Sequence, residues 1–119
     1  MSYVDGFLIV VPKKKVDAYR KIAKVASKVW MELGAQQYVE CVGDDLATPF
    51  GTPFPKRVKA KAGEAVVFSW IVYKNKAARD RINKKVMKDP RLAKYMAPGA
   101  MPFDTKRMSM GGFKVLVEA

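Results

Sequence analysis

Val66-Val67-Phe68-Ser69-Trp70-Ile71-Val72-Tyr73 (VVFSWIVY, residues 66–73) is a short, nearly continuous apolar run rich in β-branched and aromatic residues. That composition predicts a strand buried on both faces. Successive side chains alternate, so Val66, Phe68, Trp70 and Val72 share one face, and Val67, Ser69, Ile71 and Tyr73 the other. Tyr3 to Val11 makes the same demand, with Phe7, Ile9 and Val11 opposite Val4, Leu8 and Val10. Only two segments of the chain have good helical periodicity. Two helices cover one face of a sheet, so the other is expected to be covered by a partner subunit.

Outward from that strand, the pattern alternates between strand and helix. Pro12 closes the first strand because it cannot donate to a ladder, and three lysines follow. Val16, Tyr19, Ala23, Ala26, Trp30 and Leu33 recur at three- and four-residue spacing, the apolar stripe of an amphipathic helix that Gly34 ends. Gln36 to Val42 predicts a second strand running into the turn Gly43-Asp44-Asp45. Leu46 to Pro55 is too rich in proline for a helix and predicts an ordered loop in which Phe50 and Phe54 seek burial. Arg57, Lys59 and Lys61 alternate with small apolar residues and suggest an edge strand. Asn75 is placed to cap a second helix, with Ala78, Ile82 and Val86 on its buried face. Asp89-Pro90 ends that helix, Arg91 to Met96 suggests one more turn, and residues 97–102 form a loop. The last strand is expected over Arg107 to Val117, with Gly111-Gly112 marking a bulge or a close backbone approach.

The 119 residues suffice for a single domain, 1–119, with a packed core. Lysine and arginine outnumber the acids 23 to 11, giving a net charge of +12 and an exterior attractive to anions. The one cysteine excludes an intramolecular disulfide and a thiolate zinc cluster. Because the sequence has no histidine, the commonest metal ligand, haem ligand and neutral-pH acid/base are all missing. The N-terminal apolar run is interrupted by Asp5 and too short to span a bilayer, so a cytoplasmic protein without membrane association is expected.

Two β-α-β units folded together give an α+β protomer of the ferredoxin-like type: βαββαβ, a four-stranded antiparallel sheet and both helices on one face. The opposite, apolar face would pack on a second copy, making a dimeric α/β barrel.

Tyr3-Val4-Asp5-Gly6-Phe7, Glu40-Cys41 with Gly43-Asp44-Asp45, Val67-Phe68-Ser69-Trp70, Asp89-Pro90-Arg91, Met101-Pro102-Phe103-Asp104 and Gly111-Gly112-Phe113 together resemble the YbaA-like family. The similarity runs in one order over almost the whole chain. It implies a small protein of a family of unknown function within the dimeric α/β-barrel superfamily, which includes cofactor-free monooxygenases and isomerases. It implies no particular reaction.

Five residues are candidates for binding a small organic ligand inside the barrel. Asp5, Glu40 and Ser69 are polar breaks in apolar strands, costly to bury without partners. Asp5 or Glu40 would serve as a base if burial raised its pKa. The bland alternatives are a strand-end position for Asp5 and an ion pair for Glu40. Arg107 would clamp an anion at the barrel mouth, or else pair with Asp104; Trp70 would stack on a flat ligand, or else belong to the core. Cys41 is expected to be a small buried hydrophobe, and Asp44-Asp45 a solvated turn. No metal site and no cofactor are expected, and catalytic residues are not assigned. Three functional classes follow: a ligand-binding protein, with an oxygenase or isomerase as its catalytic form; a structural or interaction module with a filled interior; and a nonspecific nucleic-acid binder. The last is disfavoured because the cations are spread over the surface while the aromatics alternate inside strands.

Overall fold

The computed structural model describes all 119 residues. In order, the elements are β1 (Tyr3–Pro12), α1 (Val16–Glu32), β2 (Gln37–Val42), a single turn α2 (Phe54–Arg57), β3 (Glu64–Tyr73), α3 (Lys76–Val86), a second single turn α4 (Pro90–Ala93) and β4 (Ser109–Lys114). One sheet has the order β2-β3-β1-β4 with every neighbouring pair antiparallel. This is the ferredoxin-like arrangement expected from the sequence. No helix is long and apolar enough to cross a membrane.

Local chemistry explains the element ends. The Asn75 side chain accepts from the Ala78 amide at 2.8 Å and starts α3, and Asp89 caps α4 ahead of Pro90 at its first position. Gly34, at φ 118°, stops α1 in a conformation that other residues rarely adopt. The buried face of α3 is Ala78, Ile82 and Val86, as the spacing predicts. Ile82 and Val86 join Val29, Ile71 and Tyr73 in one half of the core; Ile9, Val11, Tyr19 and Val67 form the other.

The β1–β3 register pairs Asp5 with Ile71 and Phe7 with Ser69, and the β2–β3 register pairs Glu40 with Ser69. Asp5, Phe7, Tyr38, Glu40, Ser69 and Ile71 therefore all face the helices. Val4, Leu8, Val39, Phe68, Trp70, Val72 and Phe113 face the other way, where neither α1 nor α3 lies and only the single turn α2 approaches, through Phe54. Phe68 is 44% exposed and Phe113 63%.

Four local expectations are corrected. Residues 57–61 form no edge strand: α2 ends at Arg57, and Lys59 takes a positive φ of 53°, incompatible with extended pairing. Phe50 stays exposed, and Phe54 is only partly covered, packing edge-on against Phe68 with ring centroids 6.1 Å apart. Cys41 is exposed, because β2 is an edge strand and Cys41 points to the open face. The last strand is shorter than expected. A 3-10 turn at Thr105–Arg107 precedes it, and it ends at Lys114.

Candidate functional site

A cavity of about 340 Å³ lies inside the protomer, between α1 and the helix-facing side of the sheet. Phe7, Ile9, Ser69 and Ile71 form its floor and Tyr19, Ala23, Ala26 and Trp30 its roof. The segment after α3 closes one side with Leu92, Tyr95, Met101, Phe103 and Met108, while exposed Met96 and Thr105 mark the end that reaches solvent. Two sequence features create the space. The α1 stripe carries alanine at positions 23 and 26, and Ser69 interrupts the apolar floor, so small side chains face each other across the gap.

Glu40 is the only carboxylate lining this cavity, and no lysine or arginine lines it. Its oxygens are each held by a phenol: Tyr38 Oη donates to Oε2 at 2.6 Å and Tyr19 Oη donates to Oε1. Burial, and then the neighbouring Glu40 charge, push both phenol pKa values above the ordinary tyrosine range, so both hydroxyls keep their protons. Tyr38 sits two residues before Glu40 on β2 and so on the same face, while Tyr19 reaches down from α1. The aromatic partners fix the rings: Trp30 lies 5.9 Å from Tyr38, and Phe103 meets Tyr19 edge-on at 5.7 Å.

Glu40 and Ser69 thus meet in one cavity, on adjacent strands. The other three candidates lie elsewhere. Asp5, 3% exposed, does not reach the cavity; Arg79 Nε contacts its two oxygens at 3.0 and 3.2 Å, and Asn83 Nδ2 donates at 3.4 Å. Gly112 stands opposite Asp5 on β4, and a Cβ there would collide with Tyr3 Oη and Arg79 Nη2. The glycine pair therefore permits a close approach, and the register through it is unbroken. Trp70 lies on the open face, where Nε1 donates to Gln37 Oε1 at 3.0 Å, beside a hollow floored by Gly6 and Gly111. Arg107 is no anion clamp, nor does it pair with Asp104. Its guanidinium grips Glu64 at 2.6 and 3.0 Å and the Lys59 carbonyl at 3.0 Å. Hydrogen bonds from Arg107 and then from the Lys61 amide hold the Glu64 carboxyl down at about 2. This clamp ties the segment bearing Thr105 and Met108 to the start of β3, so Arg107 positions a cavity wall.

Sequence reasoning missed Tyr19, Tyr38 and Trp30. Tyr38 had a legible signal: the two-residue strand period places it beside Glu40. Tyr19 looked like one more member of an apolar stripe, and only the tertiary fold shows where its hydroxyl goes. Trp30 Nε1 donates to both Tyr73 Oη and Asn83 Oδ1 at 3.1 Å, linking the cavity roof to the network around Asp5.

Residues 2–105 match the family described as Protein of unknown function (DUF1428). The chain is 46% identical over 118 residues to Uncharacterized protein YbaA of Escherichia coli strain K12, covering 99% of each, and matches the Shigella flexneri protein of that name equally well. Among solved structures it is similar to a dimeric ferredoxin-like protein from an uncultured marine organism, with a TM-score of 0.58 and 14% identity over 100% of both chains. It is also similar to an uncharacterized NIPSNAP domain protein from Burkholderia xenovorans, with a TM-score of 0.55 and 15% identity over 95% of this chain and 93% of that one. These two likenesses are in fold. Nearly the whole length being matched at 46% identity, the chain belongs to the DUF1428 family and is a relative of the YbaA proteins.

Proposed function

We propose that the protein binds a small, largely apolar organic molecule in the cavity beneath α1, with Glu40 as the polar anchor, and that it works as a homodimer joined through the open sheet face. The observation that carries the ligand reading is a carboxylate held only by neutral hydroxyls in an otherwise apolar space of about 340 Å³. A largely apolar concavity of this size, open to solvent at one end, supports a binding role over a filled structural module. The dimer reading rests on the exposed Phe68 and Phe113 of a face that neither α1 nor α3 covers. The solved relative described as dimeric adds support.

A catalytic form of the same reading has its own support. A carboxylate without a cationic partner, facing apolar surroundings, suits a general base that abstracts a proton from a bound carbon or oxygen acid, as an isomerase or cofactor-free oxygenase requires.

Phenethyl alcohol, neutral and compact, is a suitable probe. Ala26→Phe would fill the cavity from α1, and titration calorimetry should show the alcohol binding at least roughly tenfold more weakly than to the wild type, with the circular dichroism spectrum unchanged. Equal affinity for both proteins would remove the cavity from consideration.

A further inference from the structure

The cavity differs in charge from the rest of the molecule. Of 119 residues, 23 are lysine or arginine, yet none lines it, and its one ionic side chain is Glu40. A surface of net charge +12 gathers anions, whereas this interior offers them almost nothing. Both phenols have committed their protons to Glu40, so the oxygens grouped there present lone pairs to an incoming molecule. A carboxylate or phosphate would face lone pairs and a like charge together. A protonated amine would find three acceptors for its N–H groups: a Glu40 oxygen and the Tyr19 and Tyr38 hydroxyls. Trp30 packs against Tyr38 and Phe103 against Tyr19, which holds the two phenols in place around Glu40. Farther out, Met96, Met101 and Met108 form an apolar wall that adapts to shape without adding charge.

Building on the ligand-binding reading above, we infer that the cavity selects protonated lipophilic amines, with Glu40 as counter-ion and Tyr19 and Tyr38 as acceptors. The apolar body of such a ligand would lie between Ala23 and Ala26 above and Ser69 and Ile71 below. Selection by the cavity runs opposite to attraction by the surface, which makes the two kinds of binding separable.

The test is a titration of the full chain with phenethylamine, phenethyl alcohol and phenylacetate at physiological salt, followed by calorimetry. The amine should bind roughly 10- to 100-fold more tightly than the alcohol, the range of a charge-assisted hydrogen bond, and phenylacetate should show no saturable binding. In Glu40→Gln the ratio of amine to alcohol affinity should fall to about one, whatever the alcohol's own affinity becomes, and an unchanged ratio would overturn the counter-ion role. A circular dichroism spectrum matching the wild type reports that the variant is folded. If the alcohol or phenylacetate binds the wild type as well as the amine does, the charge selection is wrong and ligand binding in the cavity stands. If none of the three binds, both are wrong.

Discussion

Asp5→Ala is expected to destabilise the protein by about 3 kcal/mol, because removing one partner of a buried ion pair leaves the other uncompensated. Asp5 is 3% exposed, and the Arg79 side chain is 23% exposed, too little for water to replace the lost carboxylate fully. Arg79 also contacts Asp80 at 2.9 Å and lies 5.1 Å from the Tyr3 ring centroid, so part of its environment survives and the loss stays at the lower end for such pairs. Asn83 loses an acceptor as well, and through Asn83 the disturbance reaches Trp30 in the cavity roof. Urea unfolding at fixed protein concentration should show the loss, equivalent to a melting temperature lower by about 10 °C. A change below about 0.5 kcal/mol would mean that Asp5 and Arg79 do not form the pair described. Asp5 lies outside the cavity lining, so in the proposed ligand reading its substitution would act on the cavity only through Asn83 and Trp30.

Phe68→Glu is expected to turn a dimer into a folded monomer. Phe68 lies on β3, one of the two central strands, edge-on to Trp70 at 5.7 Å, with 44% of its surface open in the protomer. A glutamate there remains hydrated in the monomer, so the protomer should keep its fold. In a face-to-face dimer the same carboxylate would be buried without a cation, and twice over by symmetry, at several kcal/mol each. Sedimentation velocity at micromolar concentration should resolve a wild-type dimer and a variant monomer with matching far-ultraviolet spectra. A wild type that sediments as a monomer, or a variant that remains a dimer, would refute pairing through this face.

Most of the architecture was legible because it rests on periodicity. The two-residue alternation around Ser69 and the three-four spacing from Tyr19 to Leu33 identify elements whatever their partners, and the pairing order of a split β-α-β fold follows from connection rules. Elements held by tertiary contacts were not legible. Alternating charges at 57–61 resembled an edge strand, but the segment is held instead through the Lys59 carbonyl and the Arg107 guanidinium, from far along the chain. The site was half legible. Polar breaks in apolar strands pointed to Asp5, Glu40 and Ser69, and the strand register places all three on the helix side. Sequence could not tell which break has a cationic partner. Arg79 reaches Asp5 from α3, whereas Glu40 meets only phenols, and that difference is why the ligand reading is placed on Glu40. Sequence reasoning looked for a cavity at the open sheet face; a hollow does lie there, and a second space opens on the helix side, where small residues of α1 and β3 face each other.

The most direct test of the central claim is an amide NMR titration of the isotopically labelled protein with phenethyl alcohol, mapping where the ligand sits. The account predicts shift changes at Ala23, Ala26, Glu40, Leu92 and Phe103, which surround the cavity beneath α1. Changes confined to Gly6, Gly111 and Phe113 would instead place the ligand in the hollow of the open sheet face and contradict the claim.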